Sequence, residues 1–270
     1  MYDFRFGNQS QMVDNPEELL VFVKHLLPRW SNGIPDPECV GIFRAAIASN
    51  ACGGVAVESG TGASTLALVL NAILNDGHVY SWDTNPSKGS FLRTVMTEAI
   101  AMPLGVNLSD SWTFVGMSAS DPHLGFSILE ELDQSISIAF LDSWHTTENL
   151  MMEVDLSTPL MTIGSVLSID DAHYTALSSN YAFVNLQRAK LGLNSIDEPA
   201  ENVGPTFAES VVASLRMRFR NVQELALLTD EDFKKDHHSA YFGTDRKIFS
   251  DFGMEDASSI RNRFKAWQIS

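Results

Sequence analysis

The chain has 270 residues, of which 44% are hydrophobic and 19% are charged, which argues against a disordered chain and provides enough apolar material for a large core. Its 18 Lys and Arg residues stand against 34 Asp and Glu residues, which gives a net charge of −16. A surface this acidic repels phosphate backbones and anionic lipids. We therefore expect neither a nucleic acid nor a membrane as partner.

The cysteines and the N-terminal segment indicate a cellular compartment. Cys39 and Cys52 have no metal-ligand spacing and are too few for a disulfide scaffold, so we expect buried thiols in a reducing environment. The N-terminal residues MYDFRFGNQSQ lack the basic and apolar regions of a signal peptide, and no apolar run approaches the roughly 18 residues that span a membrane. The sequence predicts a soluble, cytoplasmic protein, with a homo-oligomer as one possible state.

Two helices are predicted before the first strand. Residues 15–30 begin with an N-cap at Asn15, and Pro16 follows at the first helical position. A second helix starts near Asp36 and Pro37 and continues through an apolar segment. We expect these helices to cover the sheet or one edge of a pocket.

From residue 53 onward, short apolar runs alternate with helical segments. The predicted strands are residues 54–58, 78–83, 112–115, 136–142 and 165–170, and the predicted helices are 64–75, 88–102, 121–132 and 147–156. This alternation is typical of a parallel, doubly wound α/β sheet. Three of the strands end on an acid, namely Asp83, Asp142 and Asp170. Because open α/β sheets bind ligands at the carboxyl ends of their strands, the acids are expected where chemistry occurs.

The last third of the chain has a weaker pattern. Residues 179–193 and 206–220 are predicted to be helical, with a loop at 194–205 between them. Residues 222–229 and 240–249 are predicted to form a closing antiparallel pair. The chain shows neither an internal repeat nor a low-complexity linker, so we predict a single domain.

The loop Glu58-Ser59-Gly60-Thr61-Gly62 follows the first predicted strand. Its glycines permit positive φ and a close approach of a ligand to the backbone, and the N–H groups at the next helix start favour an electron-rich group. Glu58 would repel a pyrophosphate but suits a ligand with a cationic amino-acid end. Thr65 stands where a dinucleotide fingerprint needs Gly or Ala. The alternative is a tight strand-to-helix turn that binds nothing.

Asp83 ends the second predicted strand, 21 residues after Gly62 (83 − 62). This is close to the roughly 20-residue offset at which a carboxylate reaches the hydroxyls of a ribose. A carboxylate accepts from both hydroxyls at once, which suits an acid to the position. Together with the glycine loop, Asp83 predicts a nucleoside ligand.

The glycine loop followed by Asp83 resembles the signature of class I S-adenosylmethionine-dependent methyltransferases, and the resemblance covers about residues 50–175. It implies a Rossmann-like fold with a mostly parallel seven-stranded sheet, N-terminal helices and a C-terminal antiparallel hairpin. Residues 1–50 would then be an N-terminal helical segment, 51–175 a cofactor-binding core, and 176–270 the C-terminal helices and closing strands. The cofactor-binding residues implied by the resemblance are Glu58, Ser59, Gly60, Thr61, Gly62, Ser64, Asp83, Met117, Ser118 and Asp142.

Three acids lie at the ends of the fourth and fifth predicted strands. Asp142, Asp170 and Asp171 would converge on one crevice, where their carboxylates repel one another unless a cation or protonation intervenes. A divalent metal with oxygen ligands, most commonly Mg²⁺, would relieve this repulsion. The alternative is that Asp142 and Asp171 are helix N-caps and only Asp170 faces the pocket.

His145 lies three residues after Asp142 and suits a general base for a substrate hydroxyl. The arrangement resembles metal-dependent O-methyltransferases, including catechol and macrolide-sugar enzymes. The sugar enzymes carry the same Asp-x-x-His pattern, so the resemblance implies catalytic roles for Asp142 and His145. His173, after the fifth strand, is either a second acid/base or a structural residue.

The predicted function is transfer of a methyl group from S-adenosylmethionine to a hydroxyl of a small molecule, with assistance from a divalent metal. Two alternatives are a nicotinamide-dependent oxidoreductase, which Thr65 and Glu58 disfavour, and an inactive methyltransferase-like binding protein.

Overall fold

The protein contains a seven-stranded sheet with the strand order β3-β2-β1-β4-β5-β7-β6. The computed structural model describes residues 9–117, 121–142, 144, 146–197, 204–234 and 263–270. The strands are β1 (Val55–Ser59), β2 (Val79–Asp83), β3 (Trp112–Gly116), β4 (Ile136–Leu141), β5 (Met161–Ile169), β6 (Val222–Glu224) and β7 (Lys265–Ile269). Strands β1 to β5 pair in parallel, whereas β7 pairs antiparallel with β5 and β6. The predicted fold class is confirmed.

Helices cover both faces of the sheet. They are α1 (Gln9–Asp14), α2 (Pro16–Lys24), α3 (Asp36–Ser49), α4 (Ala63–Leu74), α5 (Pro86–Met96), α6 (Met102–Leu104), α7 (Leu108–Ser111), α8 (His123–Glu131), α9 (Thr147–Ser157), α10 (Ala176–Lys190), α11 (Phe207–Arg218) and α12 (Asp230–Lys234). A π-helical turn at Thr97–Ala101 joins α5 to α6, so the predicted helix over 88–102 is a chain of three segments. In the part of the chain that the structure describes, no helix is both long and apolar enough to cross a bilayer.

The core lies in two layers because successive strand residues point to opposite faces of the sheet. In β4, Ile138 and Phe140 pack on the face covered by α2, α3 and α4. The alternate residues Ala139 and Leu141 pack on the face covered by α8, α9 and α11. With both faces buried, the parallel strands are almost continuously apolar, which is why they were visible in the sequence.

The closing strands differ from the prediction. Strand β6 covers only Val222–Glu224, and its partner is β7 at Lys265–Ile269. The predicted partner, residues 240–249, lies outside the described residues. In β7, Ala266, Trp267 and Ile269 are buried in the core, and this apolar contact selects the C-terminal segment as the strand.

A buried ion cluster joins the end of α2 to the start of α3. Lys24 Nζ lies 2.8 Å from Asp36 Oδ1, and His25 Nε2 lies 2.8 Å from Asp36 Oδ2. Burial alone would raise the pKa of Asp36, but the charge of Lys24 and the hydrogen bond with His25 hold it well below its ordinary value. The cluster therefore fixes both ends of the turn between the two helices.

Asn15, the predicted N-cap of α2, makes no capping hydrogen bond, and its side-chain amide donates instead to the carbonyl of Gln11.

Candidate active site

A cleft of about 200 Å³ opens at the carboxyl ends of the central strands, where open α/β sheets bind ligands. Its walls come from the turn between α2 and α3, the glycine loop after β1, and the residues that follow β4 and β5. The lining residues are Trp30, Ser31, Gly33, Ile34, Gly60, Thr61, Gly62, Ala63, Ser64, Lys88, Asp142, Asp170 and Arg263. The segment between α2 and α3, and not the helices themselves, thus supplies one edge of the cleft.

The two glycines of the loop are required for different reasons. Gly60 has a φ of 86°, in the left-handed region that L side chains rarely adopt. At Gly62 a Cβ atom would lie 3.3 Å from the carbonyl oxygen of Ser31, on the opposite wall of the cleft. The first glycine therefore permits the turn, and the second permits the close approach of the two walls. This bare backbone leaves room for a ligand to lie against the loop, as the predicted S-adenosylmethionine would.

Glu58 does not line the cleft, contrary to the expectation that it receives a cationic ligand end. It is fully buried, and its Oε1 accepts a hydrogen bond of 2.5 Å from Ser64 Oγ while its Oε2 accepts one of 2.7 Å from Thr65 Oγ1. Thr65 Oγ1 in turn accepts from the backbone N–H of Gly62 at 3.0 Å. Because both oxygens of Glu58 are engaged by hydroxyls of α4, the carboxyl holds the loop in shape instead.

The burial of Glu58 predicts a pH effect on stability. Burial raises its pKa from 4.5 to about 7, although the hydrogen bonds from Ser64 and Thr65 lower it. The folded protein therefore binds a proton more tightly than the unfolded chain, so stability from this group is lost as pH rises from about 4.5 to about 7. Between pH 5 and 8, we expect the unfolding free energy of Glu58→Gln to rise by roughly 1–3 kcal/mol relative to wild type.

Urea denaturation at four pH values across this range measures the difference. Glu130→Gln on the exposed face of α8 is the matched control and should run parallel to wild type. A Glu58→Gln profile that also ran parallel would contradict the buried, raised-pKa carboxyl.

Asp83 is tied to the glycine loop by several donors. Its Oδ2 accepts from Thr61 N at 3.0 Å, from Thr61 Oγ1 at 3.1 Å and from Lys88 Nζ at 3.1 Å. Its Oδ1 accepts one bond, from Asn85 N at 2.7 Å, which leaves acceptor capacity for a ligand hydroxyl. Burial would raise the pKa of Asp83, but these donors lower it, so the carboxylate is charged at neutral pH. Lys88, in the first turn of α5, was not predicted from the sequence.

The other residues predicted to bind the cofactor lie partly in the core, partly at the cleft and partly outside the described residues. Ser59 is buried in β1, and its carbonyl accepts from Asp142 N at 3.0 Å, which places Asp142 at the cleft. Met117 follows β3, packs against the core, and donates its N–H to the carbonyl of Asp83. Ser118 and the predicted base His145 lie outside the described residues.

Arg263 is the cation that the acidic cluster contains. Its Nε lies 2.5 Å from Asp170 Oδ1 and its terminal nitrogen Nη2 lies 2.6 Å from Asp170 Oδ2, a bidentate pair. The same Nε lies 3.6 Å from Asp171 Oδ1 and 3.6 Å from Glu38 Oε2. Burial would lower the pKa of Arg263, but the surrounding carboxylates raise it well above its ordinary value. The guanidinium therefore carries a full charge beside three acids.

The strand register explains how an arginine from the C-terminus reaches these acids. Ile169 of β5 pairs with Lys265 of β7, so continuing the antiparallel register by two residues brings Arg263 opposite Asp171. The carbonyl of Arg263 accepts from the N–H of Ala172 at 2.7 Å, which anchors this end of the strand pair. Asp171 itself has a φ of 54°, an uncommon conformation that marks the sharp turn after β5. This long-range pairing is not visible in the local sequence.

Glu38 was also missed from the sequence. It lies on α3 and is fully buried, with its Oε2 3.6 Å from Arg263 Nε. Burial and the negative charge of Asp170 raise its pKa well above its ordinary value. Its neighbour on the helix, Asp36, belongs to the ion cluster described above, so α3 contributes acids to two separate buried sites.

The interpretation of Asp142 and Asp171 as helix N-caps is wrong. Helix α9 is capped by Thr146, whose hydroxyl accepts from Asn149 N, and α10 is capped by Thr175. Asp142 and Asp170 line the cleft, and Asp171 is buried beside them.

The described residues do not fit the predicted divalent ion. Across the described ranges, no group of three or more His, Cys, Asp or Glu side chains is arranged to hold a metal. Both oxygens of Asp170 are already bonded to Arg263, so an ion there would have to displace a guanidinium from a buried, bidentate pair. The charge repulsion that suggested a metal is relieved by this arginine.

Comparison with known proteins shows which family this chain is similar to. Residues 57–172 match the family described as "Methyltransferase domain". A search of curated protein sequences finds no match. Among solved structures, a protein from Corynebacterium glutamicum is 13% identical with a TM-score of 0.52, and the match covers 97% of this chain and 98% of that one. This likeness shows the fold.

Two further solved structures are similar at lower TM-scores. Cofactor-bound Rv0187 from MTB is 16% identical with a TM-score of 0.49, covering 94% of this chain and 89% of that one. The O-methyltransferase from Bacillus cereus in complex with SAH is 14% identical with a TM-score of 0.46, and the match covers 80% of this chain and 89% of that one. The family match falls on the segment that holds the glycine loop, Asp83 and the acids after β4 and β5. Residues 57–172 are therefore similar to a methyltransferase domain, in agreement with the resemblance to class I methyltransferases.

Proposed function

We propose that the protein transfers the methyl group of S-adenosylmethionine to a hydroxyl group of a small molecule. The observation that carries the proposal is the cleft at the carboxyl ends of the strands, walled by the bare backbone of Gly60 and Gly62 and tied to Asp83. The family match over the same segment supports methyl transfer as the reaction.

The glycine loop and Asp83 would hold the cofactor. The backbone at Gly60 to Gly62 gives a ligand access to the start of α4, where N–H groups favour an electron-rich group. Asp83 Oδ1 retains acceptor capacity for a ribose hydroxyl, and Met117 and Ser118 follow β3, where we expect the adenine. When bound, S-adenosylmethionine supplies the methyl group and is left as S-adenosylhomocysteine.

The acceptor would lie against the residues that follow β4. Asp142 lines the cleft there, and His145 follows three residues later in the sequence. In the proposed reaction the acceptor oxygen forms a bond to the methyl carbon as the carbon–sulfur bond breaks, and His145 takes the hydroxyl proton. The cleft is small and the chain carries a net charge of −16, which favours a small molecule over a nucleic acid as acceptor. The proposal includes no divalent ion, because Arg263 already occupies Asp170.

Asp83→Ala tests the cofactor site. We expect the KM for S-adenosylmethionine to rise roughly 5- to 150-fold, because charged hydrogen bonds worth about 1–3 kcal/mol are lost. The assay uses S-adenosylmethionine with an isotopically labelled methyl group and a panel of catechols and sugar hydroxyls, and it follows label in the product ether. Glu130→Ala, an exposed acid on α8, is the control and should leave KM unchanged. An unchanged KM in a folded Asp83→Ala protein would remove Asp83 from the site.

A further inference from the structure

The cleft contains a charge arrangement that the proposed reaction does not use. Asp142 and Asp170 line the cleft, and Glu38 and Asp171 are buried behind it. In the part of the cleft that the structure describes, the positive side chains in the lining are Lys88, which bonds to Asp83, and Arg263. Of these two, Arg263 is the one beside the acids that follow β4 and β5, so its position bears directly on how their charge is balanced.

We propose that Arg263 is the built-in cation of this cleft and stands in place of the divalent ion that its acids would otherwise require. The inference rests on the proposed function only in taking the cleft as the place of methyl transfer. Its basis is geometric: Arg263 bonds to both oxygens of Asp170 and lies 3.6 Å from the carboxyl groups of Asp171 and Glu38.

A guanidinium suits this role for physical reasons. Its planar fork matches a carboxylate in bidentate geometry and remains charged at any pH at which the protein is folded. The side chain is only 13% exposed, so the attraction to Asp170 is weakly screened by salt. The backbone bond from Ala172 to Arg263 fixes the arginine in the strand pair. Such a cation is part of the chain, so chelators cannot remove it.

Arg263 is a positioning residue in this proposal. Its bidentate contact holds the Asp170 carboxylate at the cleft wall, next to Asp142, and prevents the acids from repelling one another. Removal of the arginine would deprive the buried Asp170 carboxylate of its bidentate partner, which is costly unless a proton or another cation takes its place. An empty cation position lined by carboxylate oxygens is what a hard divalent ion binds.

The test measures Mn²⁺ binding directly, by the loss of the electron paramagnetic resonance signal of the free ion. Wild-type protein should bind no Mn²⁺ up to about 1 mM at the acids, whereas Arg263→Ala should gain a site that Asp170→Asn in the same chain removes. Arg216→Ala changes the net charge equally on the exposed face of α11 and should gain none. Arg263→Lys keeps the charge and should also remain without metal.

Thermal unfolding measures the effect of the arginine on stability and does not require a metal ion. We expect the melting temperature of Arg263→Ala to fall by about 5–15 °C, and Asp170→Asn in that background to restore part of the loss. If Arg263→Ala does not fold alone, restoration of folding by Asp170→Asn or by Mn²⁺ supports the proposal. Failure of both to restore folding would overturn it.

Two further results would overturn the proposal. One is stoichiometric Mn²⁺ binding by wild-type protein that Asp170→Asn abolishes. The other is an Arg263→Ala protein that binds no Mn²⁺ and is as stable as Arg216→Ala. Failure of the proposed function has a different signature, because a chain that binds no S-adenosylhomocysteine can still gain Mn²⁺ binding when Arg263 is removed.

Discussion

Replacing His145 with alanine is expected to reduce the turnover number by roughly 10²–10⁴-fold, the range attributed to a positioned general base. The affinity for S-adenosylhomocysteine should stay unchanged, since His145 is proposed to act on the acceptor and not on the cofactor. In wild type the rate should rise with pH as the imidazole loses its proton. Steady-state kinetics from pH 5 to 9, with calorimetry for the cofactor, measure both effects.

His123→Ala provides the matched control for the histidine. His123 is exposed at the start of α8 and should leave both kinetic constants and the pH profile unchanged. The rise of rate with pH should be lost in His145→Ala. A variant with wild-type turnover would show that another group takes the proton, and His145 would lose its proposed role.

Replacing Asp36 with alanine is expected to lower the free energy of unfolding by about 3–5 kcal/mol. The reason is that Lys24, which is fully buried, would lose the carboxylate that lies 2.8 Å away. The turn that carries Trp30 and Ser31 lies between the two ends of this cluster, so the cleft should also lose affinity for S-adenosylhomocysteine. Urea denaturation and calorimetry measure the two losses.

Two comparisons identify the cause of that destabilisation. Glu18→Ala, an exposed acid on α2, should change the unfolding free energy by less than about 0.5 kcal/mol. The double variant Lys24→Met, Asp36→Leu should recover most of the loss, because it removes the buried charge as well as its partner. A double variant that is less stable than Asp36→Ala would argue against an unpaired Lys24 as the cause.

The sheet was largely predictable because its central strands are buried on both faces. The predicted bounds of β1 to β4 agree with the structure to within one residue at each end, and β5 begins four residues earlier than expected. Strand β7 was missed because it is a short segment, Lys265–Ile269, without regular alternation, and it becomes a strand by pairing with β5 and β6. Local periodicity carries little of that long-range contact.

The sequence predicted where the cleft lies but not which group balances the charge of its acids. It placed the glycine loop and the acids after β4 and β5 at one end of the sheet, because the ends of the strands can be predicted from the sequence. It assigned Glu58 to the ligand, since a strand-end acid is visible whereas the hydroxyls of Ser64 and Thr65 that bind it depend on helix geometry. It assigned a metal to the acids because Arg263 is more than 90 residues away from Asp170 in sequence.

The central claim is that the cleft binds S-adenosylmethionine, and a calorimetric titration tests it most directly. Wild-type protein is titrated with S-adenosylhomocysteine and, separately, with NADH, each in the presence of EDTA and again with Mg²⁺. We expect S-adenosylhomocysteine to bind at one site per chain with an affinity that Mg²⁺ does not change, and NADH not to bind. Binding of NADH without binding of S-adenosylhomocysteine would contradict the assignment and favour an oxidoreductase.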